Sequence, residues 1–195
     1  MNVVTKIIFK NMLKLILGGL LIGFFHQYDL ILAILLILKI THSFVKNIRN
    51  KTFNSNLIFG FLLTAIIGYT CEYFGTKYQY WEYHDVATEI PKWVFFAWGA
   101  AFILMYQTEL EINKKASHIS SKTKKWLVLF MVAIFPTLGE IITINLGTWS
   151  YDMPYKIFGV PLAAVIALII IHYAVNALLG VTSKKFGIKD LVFNP

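Results

Sequence analysis

The sequence predicts an all-α fold: a polytopic membrane bundle of six transmembrane helices, the last four forming a parallel tandem repeat of two helix pairs. Three observations predict it. Of 195 residues, 57% are hydrophobic and 14% charged, whereas a soluble domain of this size carries about a quarter charged residues. The mean hydropathy is +0.65, and apolar runs of about 18 residues or more recur, the length that spans roughly 30 Å of hydrocarbon. The loops joining those runs alternate between basic and acidic.

The first helix is expected over about 7–26. Lys6, Lys10 and Lys14 precede the run Leu15–Phe25 in the manner of a signal peptide. No small-x-small cleavage site follows, so a retained helix is expected, with Lys10 and Lys14 snorkelling toward the headgroups. The second spans about 28–46, after His26-Gln27-Tyr28-Asp29. Together with the linker to residue 56 these are two introductory helices. The third and fourth, about 57–75 and 91–111, form one repeat; the fifth and sixth, about 126–146 and 157–181, form the other. No linker divides the chain, so residues 1–195 are expected to be a single transmembrane domain.

Orientation follows from charge. Lys46, Arg49 and Lys51 follow the second helix, Lys114, Lys115, Lys122, Lys124 and Lys125 the fourth, and Lys184, Lys185 and Lys189 the sixth. The opposite loops carry Asp29, then Glu82, Asp85 and Glu89, then Asp152. Both termini are therefore expected on the cytoplasmic side of the cytoplasmic membrane. The net charge of +8 is read as a topology signal and an anionic-lipid contact surface, with no nucleic-acid partner. A single cysteine, Cys71, excludes an internal disulfide or a CxxC site.

The repeat carries the chemistry. In each copy a glutamate inside an apolar run is followed nine residues later by Trp-x-Tyr, then by a proline: Glu72, Trp81, Tyr83 and Pro91, and Glu140, Trp149, Tyr151 and Pro161. At 1.5 Å per residue, both carboxyls lie roughly 22 Å from the cytoplasmic edge, level with each other. Carboxyls in hydrocarbon are costly and ask for a chemical reason. Thr64, Gly68 and Thr76 share the Glu72 stripe, and Pro136, Thr137, Thr143 and Gly147 that of Glu140. Such stripes belong inside a bundle. His172 and Asn176, at i and i+4 on the sixth helix, form a third polar stripe, and Trp98 returns an indole to the depth of the glutamates.

Two carboxyls in an aromatic-walled cavity suit acid–base chemistry. One can protonate an alkene, and the carbocation can rest against Trp and Tyr faces. Glu72 and Glu140 are thus the expected catalytic pair; Trp81, Tyr83, Trp98, Trp149, Tyr151, His172 and Asn176 are the expected substrate-binding residues. The plainer alternatives are bundle glue for the glutamates, an interfacial belt for Trp81 and Trp149, and first-turn prolines at Pro91 and Pro161. Glu109 and Glu111, beside the basic loop, are expected to be solvated. No paired Glu-x-x-His, HExxH, Gly-x-Ser-x-Gly or P-loop pattern occurs, so neither a metal nor a cofactor is expected. His84-Asp85 in an outer loop is an isolated metal or catalytic hint.

In these residues the chain resembles the integral-membrane carotenoid biosynthesis proteins. The lycopene-cyclase-domain pattern, an acidic residue before Thr-x-x-Gly-x-Trp-x-aromatic and a Pro-led helix, is matched in order by Glu140, Thr143, Leu146-Gly147, Trp149, Tyr151 and Asp152, with one residue more between Thr143 and Gly147. Gly159-Val160-Pro161-Leu162 is similar to the carotenoid hydratase relatives. The resemblance covers about residues 60–180 and implies a bilayer-dissolved polyene or other isoprenoid as ligand. Cyclases of that type carry two acidic residues after the proline; this chain has Pro91-Lys92-Trp93 and Pro161-Leu162-Ala163 instead. The expected function is a membrane-embedded isoprenoid- or carotenoid-modifying enzyme of cyclase, hydratase or isomerase type. The alternative is a small membrane transporter or an ion- or proton-binding protein. The bilayer is the expected partner, and an oligomer is left open.

Overall fold

A computed structural model describes residues 3–116 and 118–193. It contains six helices: α1 (Val3–Phe25), α2 (Asp29–Arg49), α3 (Ser55–Lys77), α4 (Trp93–Lys115), α5 (Ser121–Asn145) and α6 (Leu162–Phe186). Five of these, all but α4, are long and apolar enough to cross a membrane. The last third of α4 holds Gln107, Glu109, Glu111, Asn113, Lys114 and Lys115, which lowers its hydropathy. The bundle is built around that helix: α3 packs on α4 more extensively than any other pair, and α1 and α2 also lie against it. A helix wrapped by protein has no need of an apolar surface all round.

Local chemistry sets the ends. The Asn54 side chain accepts from the Leu57 N–H at 3.2 Å and caps α3. Ser120 accepts from the Thr123 N–H at 3.1 Å, so α5 starts five residues before the apolar run suggests. Gly187, in the left-handed region at φ 64°, ends α6. Asp29, in the first turn of α2, accepts from the Trp93 N–H at the start of α4, tying the starts of these two helices together.

The expectation of a purely helical chain needs correction in the segments after α3 and α5. Both Trp-x-Tyr segments are short strands, β1 (Trp81–Tyr83) and β2 (Trp149–Tyr151), which pair antiparallel with Trp81 opposite Tyr151 and Tyr83 opposite Trp149. Lys156–Ile157 and Val160–Pro161 form a second small hairpin, β3 and β4. Its turn uses Gly159 at φ 91°, a conformation that glycine adopts without cost. The sixth helix therefore begins at Leu162, after the proline, rather than at 157.

Close approaches between helices rest on glycines, as expected where lipid supplies no drive for apolar association. A Cβ on Gly60 would lie 1.9 Å from the Phe102 ring, and one on Gly99 would lie 2.2 Å from Phe61. These reciprocal contacts lock α3 to α4. Phe9, Leu17, Leu38, Phe59, Ile66, Phe130, Ile166 and Ile170 face outward, an apolar coat suited to lipid.

Candidate functional site

Glu72 sits on α3 between two glycines on its own face, Gly68 at i−4 and Gly75 at i+3. A Cβ on Gly68 would come within 2.1 Å of the Trp98 indole, and one on Gly75 within 1.9 Å of the Trp81 indole. The missing methyls let both rings lie on the helix backbone, and both point their N–H at the carboxylate between them. Trp81 Nε1 donates to Oε2 at 2.7 Å, Trp98 Nε1 to Oε1 at 3.0 Å, and Tyr83 Oη to Oε2 at 2.8 Å. Strand β1 thus supplies two donors and the neighbouring helix α4 the third.

Glu140 on α5 is set differently. The Tyr151 hydroxyl donates to its Oε2 at 3.0 Å, at the same sequence offset as Tyr83 from Glu72. Among the described residues no indole donates to it. Trp149 instead packs against Tyr83, with ring centroids 5.8 Å apart, while Trp81 meets Tyr151 at 5.5 Å. The strand pair therefore crosses the aromatic residues of one segment onto those of the other. Burial, reinforced by the adjoining glutamates, pushes the Tyr83 and Tyr151 hydroxyls well above the usual tyrosine range, so both stay protonated and act as donors.

Both glutamates line one cavity of about 560 Å³ at the centre of the bundle, whose walls are overwhelmingly apolar. That size falls within the usual range for small-molecule sites. Trp81, Tyr83, Trp98, Trp149 and Tyr151 line it too, so the indoles of β1 and β2 belong to the cavity wall. Trp93 shares the wall, and its buried Nε1 has no hydrogen-bond partner among the described residues. Above lies a second, polar hollow with Glu82, Glu89 and Asp152 on its rim. Trp81, Tyr83 and Tyr151 line both spaces and form the partition between them.

Two expected site residues lie elsewhere. His172 and Asn176 are absent from the cavity lining. His172 Nε2 lies 3.0 Å from Asn176 Nδ2 and 3.2 Å from Glu109 Oε1. Glu109 is buried rather than solvated, at 7% exposure, because α6 brings an imidazole to it. Glu111 is partly covered and pairs with Lys10 and Lys115. In the loop after β1, His84 contacts Ser150 Oγ at 3.1 Å and Asp85 lies 3.8 Å from His26, so the two residues turn to separate partners. Among the described residues no cluster of His, Cys, Asp and Glu is arranged to hold a metal.

The cavity also has polar residues that sequence reasoning missed. Lys14 and Lys39, exposed on α1 and α2, line its other end with Ser43 and Gln107. Gln107 Nε2 donates to Ser43 Oγ at 2.8 Å, joining α4 to α2. Lys14 Nζ donates to Asn11 Oδ1 at 2.9 Å. The available signal was Lys39 within the second apolar run and Lys14 directly before the first, each about ten residues, roughly 15 Å, from an end of its helix.

Comparison with known proteins finds no matching family model, no matching curated protein and no matching solved structure.

Proposed function

We propose that the protein is a membrane-embedded enzyme that modifies an isoprenoid polyene by acid–base chemistry at Glu72 and Glu140. In this reading α4 is the sixth span, α3-β1-α4 and α5-β2-α6 are the two copies of a parallel repeat, and both termini are cytoplasmic. The observation that carries it is the presence of both carboxyls on the wall of one apolar, aromatic cavity.

The hydrogen bonds suggest the division of labour. Three donors occupy the oxygens of Glu72, which suits a carboxylate that accepts. Glu140 meets one donor and keeps an oxygen free to present a proton. Glu140 gives that proton to one carbon of a double bond; the π pair forms the new C–H bond and the neighbouring carbon becomes cationic. The faces of Trp98, Trp149, Tyr83 and Tyr151 stabilise that charge. Loss of an adjacent proton to Glu72 restores a double bond and completes an isomerisation. In a cyclisation a second double bond of the chain first attacks the cationic carbon, its π pair forming the ring bond and leaving a new cation that then loses the proton to Glu72. Capture of water, with its spare proton going to Glu72, completes a hydration. Return of the proton from Glu72 to Glu140 closes the cycle.

The polar end of the cavity at Lys14, Lys39, Ser43 and Gln107 favours a second reading, a carrier whose path joins two aqueous faces. Chromatography of isoprenoids from cells given acyclic carotenoids, with and without the protein, separates the two. New or rearranged products that vanish in the Glu72→Gln/Glu140→Gln double variant support the enzyme. An unchanged profile alongside ion or solute flux in proteoliposomes supports the carrier.

A further inference from the structure

Lys14 and Lys39 are an unexplained expense for a protein that handles only a neutral polyene. Both sit well inside apolar helices, and both line the cavity whose far end holds the glutamates. Among the described residues, no carboxylate lies within ion-pairing distance of either ammonium. The nearby Glu111 is engaged by Lys10 and Lys115. Two cations facing one apolar cavity without an anion are costly in a membrane interior, and such groups normally find a partner.

The surrounding geometry says what kind of partner fits. α1 and α2 touch little compared with α1 and α5, and Gly18, on the cavity wall of α1, has nothing within 4 Å of where a Cβ would be. The lysines therefore flank a mouth between α1 and α2 on the cytoplasmic half of the bundle. From that mouth the lining continues along α4 from Gln107 to Trp93, about 21 Å at 1.5 Å per residue. The space is thus long and greasy, cationic where it opens and carboxylate-lined where it ends.

We propose that the ligand is an anionic amphiphile, an isoprenoid bearing a phosphate or diphosphate head. The head is held by Lys14 and Lys39 at the mouth, and the chain is threaded toward Glu72 and Glu140. Ser43, one turn from Lys39, and Gln107 add hydrogen-bonding groups beside the head. Head capture fixes the depth to which the chain enters and so selects which double bond meets the acid. This proposal rests on the cavity being an isoprenoid site, but its failure is distinguishable from the failure of that reading.

The test is binding to the full chain in phosphatidylcholine nanodiscs, with geranylgeranyl diphosphate, neutral geranylgeraniol, inorganic diphosphate and phosphatidylglycerol as probes. Geranylgeranyl diphosphate is expected to bind at least about tenfold tighter than geranylgeraniol, the effect of one charge-assisted hydrogen bond. The Lys14→Gln/Lys39→Gln variant is expected to lose that advantage while binding geranylgeraniol as before, which also reports that it is folded. Inorganic diphosphate and phosphatidylglycerol are expected to compete poorly. Equal binding of alcohol and diphosphate overturns the head site and leaves the isoprenoid cavity standing, as does a preference that survives the double variant. Competition by inorganic diphosphate makes the site one for a free anion, and competition by phosphatidylglycerol makes it a general lipid contact; either overturns the proposal. Failure of both geranylgeranyl probes to bind removes the isoprenoid reading itself.

Discussion

Glu72 and Glu140 occupy corresponding places in sequence and share a cavity, yet the protein builds around them differently. Glu72 is caged by two indoles and a phenol, with two glycines cut away so that the indoles fit. Glu140 has a single phenol, and the glycine beside it, Gly139, has only ordinary contacts: a Cβ there would meet Leu15 at 3.9 Å. The difference teaches that a shared motif fixes where a carboxyl sits but not what it can do. Its donors decide whether it is held as an acceptor or left free to act.

The largest expected effect sharpens that contrast through chemistry. Glu140→Gln removes the proposed acid and should lower product formation by about 100-fold or more, the usual contribution of a general acid. Glu72→Gln should also slow turnover, but it leaves the first protonation possible, so abortive adducts or partly isomerised chains should accumulate by chromatography. Identical product profiles from the two variants would erase the distinction.

Next in size are the glycines. Gly68→Ala and Gly75→Ala each push a methyl into an indole and should cost about 1–3 kcal/mol, the range for overpacking, read as a lower thermal midpoint in detergent. Gly139→Ala should be neutral or gain up to about 1 kcal/mol through helix propensity. A destabilised Gly139→Ala, or tolerance at all three positions, would break the comparison.

The donors come third. Tyr151→Phe strips Glu140 of its one hydrogen bond and should cost about 1–3 kcal/mol. Tyr83→Phe leaves Glu72 two donors and should cost less, again by thermal midpoint.

The smallest effect is in alkaline solution. Burial raises the Tyr83 and Tyr151 hydroxyls above the ordinary tyrosine value of about 10. Between the unfolded and folded values the unfolded chain has lost protons that the native state keeps. Stability from these groups is therefore full below about pH 10 and falls as pH climbs above it. A Tyr83→Phe/Tyr151→Phe variant should show a shallower decline between about pH 9 and pH 11 than the parent.

Much of this site was legible in the sequence. Apolar run length marked all six helices, and the nine-residue offset from glutamate to Trp-x-Tyr picked out the residues that meet in the cavity. Contacts between residues far apart in sequence were not legible. Three-residue strands have too few positions to show a period of two, so β1 and β2 passed as loops until their pairing was seen. Glu109 sits next to a basic loop in sequence, and only the packing of α6 reveals that its partner is His172. His172 and Asn176 looked like cavity residues because their stripe is polar, but that stripe serves Glu109. Nothing in α1 alone says that a cavity lies beside Lys14.

Cys71, the sole cysteine, lines the cavity next to Glu72 and reports on it without any substitution. The most direct measurement is the rate at which a lipid-soluble maleimide alkylates Cys71 in proteoliposomes, with and without an added isoprenoid. Labelling that the isoprenoid slows in proportion to its occupancy is the predicted result. Labelling at an unchanged rate under a saturating isoprenoid would contradict a ligand-holding cavity between the two carboxyls.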